Sequence, residues 1–223
     1  LFFTILLYQS LFSQNTDSLH AVLDTAEGPQ RVKTLNELFR AHLMSDPVTA
    51  VGYSREALML AIEIGDTRGM AASYNNLGVA YRNQGAFDKA LEYYITSLQL
   101  YDSLQNKEGI ASAKHNIATI YSIKKDYAQA MRYLEESNAL FQEIGDPFRL
   151  IGSMNNLGNL YHDIDLNEKA LSYYTEAYAL SEKNGAKFAD PLNNVGNIYF
   201  NQGNFQLAIG HYEKALEIER AHN

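Results

Sequence analysis

Apolar positions along this chain repeat with two periods, one short and one long. In "YNNLGVAY", residues 74–81, Tyr74, Leu77, Gly78 and Tyr81 recur three and four apart, the spacing that places side chains on one face of a helix. The polar residues Asn75, Asn76, Arg82 and Asn83 fall between and around them. The longer period joins separate helices. A small residue at Gly78, Ala118, Gly158 and Gly196 marks the same point at intervals of 40, 40 and 38 residues. A tyrosine follows three residues later each time (Tyr81, Tyr121, Tyr161, Tyr199), and an alanine twelve residues later (Ala90, Ala130, Ala170, Ala208). Seven residues further on stands another small side chain, Ser97, Ser137, Ala177 or Ala215. Recurrence at a fixed period of this length is the mark of a stacked repeat architecture.

Each repeat predicts two helices. "NQGAFDKA", "IKKDYAQA", "DIDLNEKA" and "NQGNFQLA" supply turn residues between them, and "EIGDTRG", "SLQNKEG", "EIGDPFR" and "EKNGAKF" close the repeats. The small residues permit close helix crossing, where a large side chain would push the backbones apart. The tyrosines read as framework that keeps a hydroxyl at a wet edge. A degenerate repeat precedes these: "LNELFRAH" aligns with "YNNLGVAY", setting Asn36 on Asn75 and Leu38 on Leu77, and Asp46-Pro47 signals the start of its second helix. Ser18–Thr25 predicts a short lead-in helix, ended by "EGP".

The frame Tyr74, Leu77, Gly78, Tyr81, Ala90, Tyr94, Ser97, repeated as Met154, Leu157, Gly158, Tyr161, Ala170, Tyr174, Ala177, resembles the tetratricopeptide repeat. The period exceeds the usual length of about 34 residues and is similar to the extended repeats of kinesin light chains and bacterial peptide-pheromone receptors. Ala118 in place of glycine, Lys114 in place of the large residue, and Asn167 where other turns have Phe87, Tyr127 or Phe205 depart from the pattern. The resemblance implies an all-α, right-handed solenoid of antiparallel helix pairs with about five repeats, expected at 31–66, 67–106, 107–146, 147–185 and 186–220. It also implies that the first helix of each pair lines a concave groove.

The pairs of asparagines inside predicted helices are the chemically unusual feature. With Asn75 placed at zero, Tyr74, Leu77, Gly78 and Tyr81 fall between roughly 200° and 300°, so the asparagines border the opposite face. Reading the six positions Ala72, Asn75, Asn76, Val79, Arg82 and Asn83 through four repeats gives 11 asparagines among 24 residues, and Arg82 is the one permanent cation. Asparagine at seven paired positions forfeits about 4 kcal/mol of helix propensity relative to alanine. A carboxamide has one acceptor and two donors, so a ladder of them can hold an extended chain by its backbone. The expected ligand groove is Asn75, Val79, Arg82, His115, Thr119, Asn155, Asn159, His162, Asn193, Asn197 and Phe200. Asn76, Asn116, Asn156 and Asn194 border the next helix and are expected to form a structural seam. In the peptide receptors that the chain resembles, an asparagine on this face holds the ligand backbone, which implies that role for Asn75, Asn155 and Asn193.

Composition narrows the partners. A net charge of −8 leaves no basic surface for nucleic acid, and the absence of cysteine excludes disulfides, thiolate metal sites and cysteine nucleophiles. No phosphate loop, HExxH, GxSxG or calcium-loop pattern occurs. His115 and His162 lack a third ligand for zinc, and Glu135-Glu136 read as a solvated face. No catalytic residue, metal or cofactor is expected.

The apolar run "LFFTILLYQSLF", 1–12, is too short to span a bilayer and precedes Ser13 and a polar stretch, so residues 1–13 read as the remnant of a secretory signal and 14–30 as a lead-in. "TDSLHAVLDTA", "LMSDPVTAV" and the "EIGD" separators resemble the extracytoplasmic sensor region of bacterial signalling proteins. The signal-like start predicts export to the periplasm, and the open apolar face of the last repeat, with no polar cap after it, predicts a natural chain continuing past Asn223; the resemblance implies a downstream membrane helix anchoring it to the inner membrane. It further implies an output domain such as a histidine kinase, nucleotide cyclase or helix-turn-helix regulator. The expected function is a non-catalytic module gripping an extended peptide or partner-protein segment. The alternatives are a scaffold that self-associates through another copy's helix, or the regulatory fragment of an enzyme.

Overall fold

A computed structural model describes residues 16–185 and 188–221; the expected signal remnant at 1–13 lies outside them. Eleven helices and no strands are found among the described residues: α1 (16–25), α2 (Gly28–His42), α3 (Pro47–Ile64), α4 (Thr67–Asn83), α5 (Phe87–Ser103), α6 (Lys107–Ile123), α7 (Tyr127–Ile144), α8 (Pro147–Asp163), α9 (Asn167–Lys183), α10 (Asp190–Asn201) and α11 (Phe205–Ala221). The fold is an all-α solenoid of helix pairs. The chain forms two compact units that divide within α6, an N-terminal one up to Ile120 and a C-terminal one from Tyr121.

Local chemistry sets the helix ends. In "EIGD" the glycine takes the left-handed conformation after a helix (Gly65 φ 72°, Gly145 φ 75°), and the aspartate starts the next one. Asp66 accepts the Gly69 N–H and Asp146 accepts the Arg149 N–H, each at 3.0 Å, satisfying a donor that a helix N-terminus otherwise leaves unpaired. Asn106 serves Gly109 in the same way, again at 3.0 Å. The turns inside the second to fifth repeats also each contain one left-handed residue. Gly85 (φ 76°) and Gly203 (φ 78°) supply it without strain, whereas the third and fourth repeats force Lys125 (φ 59°) and Asp165 (φ 60°) into that conformation.

The core follows the repeat frame. In the N-terminal unit, Ala71, Leu77, Ala80, Ala90, Tyr94 and Ser97 are buried, and the Ser97 hydroxyl donates to the Ala71 carbonyl of the facing helix at 2.8 Å. The glycine of the frame has a specific reason: a Cβ on Gly78 would lie 2.5 Å from Cε1 of Tyr94, well inside van der Waals contact. In the C-terminal unit the rings of Tyr174 and Tyr212 lie as closely on Gly158 and Gly196. The third repeat carries Ala118 and Leu134 at these two offsets, so the departure from glycine coincides with loss of the ring.

The framework tyrosines have partners that the frame did not include. Tyr81 stacks on Tyr93 at 5.3 Å, Tyr121 on Tyr133 at 5.8 Å, Tyr161 on Tyr173 at 5.4 Å, and Tyr199 on His211 at 5.6 Å between ring centroids. All four partners stand twelve residues after the frame tyrosine.

Candidate functional site

In the N-terminal unit, α2, α4 and α6 bring their asparagines together across the repeat boundaries. Asn76 is buried and donates from Nδ2 to Oδ1 of Asn36 at 2.8 Å and to the Asn36 carbonyl at 3.4 Å. One repeat later, Asn116 Nδ2 donates to Asn75 Oδ1 at 2.9 Å. Asn36 and Ser73 also share a hydrogen bond, with Asn36 Nδ2 3.0 Å from Ser73 Oγ. The C-terminal unit repeats the pattern: Asn194 Nδ2 donates to Asn155 Oδ1 at 3.0 Å and to Asn159 Oδ1 at 3.2 Å. Asn156 is half-buried. At Asn76, Asn116 and Asn194 the second asparagine of a repeat thus donates to the first asparagine of the repeat before it.

This geometry adds a seam contact to two residues expected in the groove: the oxygens of Asn75 and Asn155 accept from Asn116 and Asn194. The division runs within each amide. Asn159 Oδ1 accepts from the Tyr174 hydroxyl and Asn197 Oδ1 from the Tyr212 hydroxyl, both at 2.7 Å. The Nδ2 groups of Asn75, Asn155, Asn159 and Asn197 have no partner among the described residues. Asn75 and Asn155 are half-buried without holding a buried orphan atom, and Asn159 and Asn197 are exposed, so these donors stand at the solvent. With the oxygen engaged internally, what each of these amides holds free toward the solvent is its Nδ2 donor; at Asn159, whose oxygen accepts twice, both lone pairs are in use.

The other expected groove residues vary. Asn193 is half-buried and its side chain makes no hydrogen bond among the described residues. Thr119 donates its hydroxyl to the His115 carbonyl of its own helix at 3.0 Å. His162 Nδ1 lies 2.7 Å from Asn167 Oδ1, which gives Asn167, the unusual turn residue, a local role. Phe200 is 55% exposed and meets Phe205 edge-on at 5.4 Å. Val79 packs against the cluster of Phe39, Ala50 and Ala80. Burial, with the charge of Arg82 added, pushes the His115 imidazole down to about 4, so it is neutral at pH 7.

Sequence reasoning missed that Tyr174 and Tyr212 hold the asparagines at 159 and 197 by their hydroxyls. The available signal was the joint occurrence, at fixed offsets, of asparagine at 159 and 197 with tyrosine at 174 and 212. Tyr94 breaks the pairing: its repeat has Val79 where the others have asparagine, and its hydroxyl is buried without a partner. Burial pushes that hydroxyl up to about 12. Among the described residues no group of three His, Asp or Glu side chains could hold a metal ion, and no helix is long and apolar enough to cross a membrane.

Family models described as tetratricopeptide repeat match residues 71–104 and 189–222, and residues 109–183. The chain belongs to the tetratricopeptide repeat family. No curated protein sequence matches it significantly. Among solved structures it is similar to BtubC (BKLC) from P. vanneervenii, with 25% identity and a TM-score of 0.75 over 96% of this chain and 90% of that one. A Rap protein complexed with competence and sporulation factor superposes with a TM-score of 0.79 at 13% identity, over 93% of this chain and 58% of that one. Aspartyl phosphate phosphatase F from Bacillus subtilis gives 0.68 at 13% identity, over 94% and 64%. Tetratricopeptide arrays are protein-binding repeat modules, and this chain is one.

Proposed function

We propose that the chain is a non-catalytic module holding an extended peptide or partner-protein segment against its first helices, and that the segment's carbonyl oxygens are what the groove reads. The observation that carries this is the common orientation of the amides: Asn75, Asn155, Asn159 and Asn197 all engage their oxygens internally and leave Nδ2 at the solvent. Such donors, one on the N-terminal unit and three on the C-terminal unit, suit a chain bound by its backbone acceptors, with little demand on its side chains. The Rap protein's complex with competence and sporulation factor, on a similar fold, supports the reading. The module is further proposed to be the sensory part of a larger bacterial signalling protein, exported to the periplasm and joined to a membrane helix and output domain. The signal-like run at 1–12 and the separators support that context.

The test uses an isosteric exchange. Asn75→Asp and Asn155→Asp retain the oxygen that accepts from Asn116 and Asn194, but turn the outward donor into an acceptor. Peptides selected from a display library against the purified protein serve as probes, measured by calorimetry. Affinity should fall at least about tenfold for each exchange, because a lost charge- or carbonyl-facing hydrogen bond is worth about 1.5 kcal/mol or more. Unchanged affinity in both variants refutes the reading. A self-associating scaffold is the second reading, favoured by exposed Phe205, Leu207 and Ile209 on α11; a strict monomer by light scattering at high concentration argues against it.

A further inference from the structure

The fourth repeat differs from the second four residues before the frame glycine, where Met154 replaces Tyr74. In the second repeat Tyr93 stacks on two rings, Tyr81 at 5.3 Å and Tyr74 at 5.9 Å between centroids. In the third, Arg132 lies over the equivalent Tyr133 ring at 4.3 Å. Their counterpart in the fourth, Tyr173, stacks on Tyr161 at 5.4 Å and has neither a second ring nor a cation over it among the described residues. Instead, Tyr173 and Met154 line a cavity of about 560 Å³ between α7, α8 and α9, wholly within the C-terminal unit. Small-molecule sites have volumes of about 300–1,000 Å³. Leu150 adds a second apolar wall, and Asn138 a polar one. The Asn138 side chain makes no hydrogen bond among the described residues, and its Oδ1 is buried without a partner. An amide oxygen left unpaired in this way costs free energy. Tyr178, which stands at this position one repeat later, has no such deficit, since its hydroxyl donates to Glu182 at 2.7 Å. Glu176 and Lys183 also line the cavity, and their opposite charges favour neither an anion nor a cation.

We propose that this cavity binds a small neutral aromatic compound carrying a hydrogen-bond donor, its ring against Tyr173 and its donor on Asn138 Oδ1. The chain supplies the template: in the second repeat a phenol, Tyr74, takes the corresponding place beside Tyr93. Methionine suits the opening, because its unbranched side chain adapts and its sulfur packs favourably against aromatic rings. Asn138 is half-buried, and a turn of its amide about χ2, a broad torsion, presents the oxygen to the ligand. A saturated ring of the same size lacks the aromatic face that stacks on Tyr173. An aromatic ring without a donor leaves the Asn138 oxygen unpaired. None of these residues belongs to the asparagine seam, so the site is independent of the peptide-binding reading.

The probe is p-cresol, the tyrosine side chain as a free molecule, with toluene and 4-methylcyclohexanol as controls. Each is titrated into the full chain while NMR follows the Asn138 side-chain amide and the Tyr173 ring. p-Cresol should shift both signals saturably. It should bind about threefold to tenfold more tightly than toluene, the worth of roughly one hydrogen bond, and more tightly than 4-methylcyclohexanol. Met154→Tyr, which rebuilds the ring of the second repeat, should abolish the response while the thermal melt stays at or above that of the parent. Asn138→Ala should lower p-cresol to the affinity of toluene and leave toluene unchanged. Because Asn138 makes no hydrogen bond among the described residues, this variant keeps the test decisive where Met154→Tyr folds poorly. Absence of saturation by p-cresol overturns the site, as does equal binding of p-cresol and either control. A full p-cresol response in well-folded Met154→Tyr, or in Asn138→Ala, overturns it equally.

Discussion

Replacing Gly158 with alanine tests the packing rule that sets the helix-pair distance. The new Cβ would stand 2.6 Å from Cδ1 and 2.9 Å from Cζ of Tyr174, besides its closer contact with Cε1. The ring has little room to withdraw, being 1% exposed and tied by its hydroxyl to Asn159 at 2.7 Å. Overpacking of this kind costs about 1–3 kcal/mol, and a displaced hydroxyl forfeits about 1 kcal/mol more. Against that, alanine in a helix gains about 1 kcal/mol over glycine. The net expectation is a loss of about 1–3 kcal/mol. Tyr174→Leu alone leaves a void and should lose about 2 kcal/mol. The double variant recreates the residues of the third repeat, Ala118 and Leu134, and should be less destabilised than the sum by about 1–2 kcal/mol. Urea denaturation of the four proteins, with midpoints compared at constant slope, measures the coupling. Strict additivity would refute the idea that glycine is there for the ring.

Three further outcomes are expected. Asn76→Ala removes a buried donor from Asn36 and should cost about 1–3 kcal/mol in urea melts, whereas the more exposed Asn194→Ala should cost about half as much; equal costs would mean that burial does not set the strength of the seam. Lys125→Gly and Asp165→Gly each relieve a left-handed residue and should gain roughly 0.5–1 kcal/mol, the strain released less the entropy of glycine, while Gly85→Lys should lose as much. His115 is held at about 4 in the folded protein against about 6.5 when unfolded. Its contribution is therefore complete above pH 6.5 and disappears as pH falls through 4, by roughly 2–3 kcal/mol. His115→Asn, the residue in register in the other repeats, should flatten that acid dependence between pH 7 and pH 4.5; an unchanged pH profile would place its cause elsewhere.

The period and the frame were legible because they are written as fixed offsets that each repeat restates. The helix ends were legible for the same kind of reason, since Gly65-Asp66 and Gly145-Asp146 encode a stop and a start in adjacent residues. The direction of the asparagine amides was not. Helical angle places Asn75 and Asn76 on a face, but which atom points where depends on a residue 41 positions away for Asn75 and 40 for Asn76. Nor did the sequence frame reveal that its glycine answers to a ring sixteen residues later, because glycine and tyrosine each have an independent reason to recur in a repeat. Lys125 and Asp165 in a glycine's conformation were equally hidden, since a turn fixed by its neighbours can impose a strained residue.

The seam and the groove are consequences of one choice. An amide bonded to its neighbour through oxygen both ties two repeats together and fixes its own NH2 outward, so no further residue is needed to orient the donor. Asn155 illustrates the economy: its oxygen receives Asn194 and its Nδ2 stays at the solvent. Variation between repeats then has to enter elsewhere. It enters at the residue after the frame glycine, which is Val79, Thr119, Asn159 and Asn197 in successive repeats. Where asparagine stands, the tyrosine beneath is satisfied and the position presents another NH2. Where valine stands, the tyrosine hydroxyl is buried without a partner. One side chain per repeat thus decides whether a tyrosine beneath it has an acceptor.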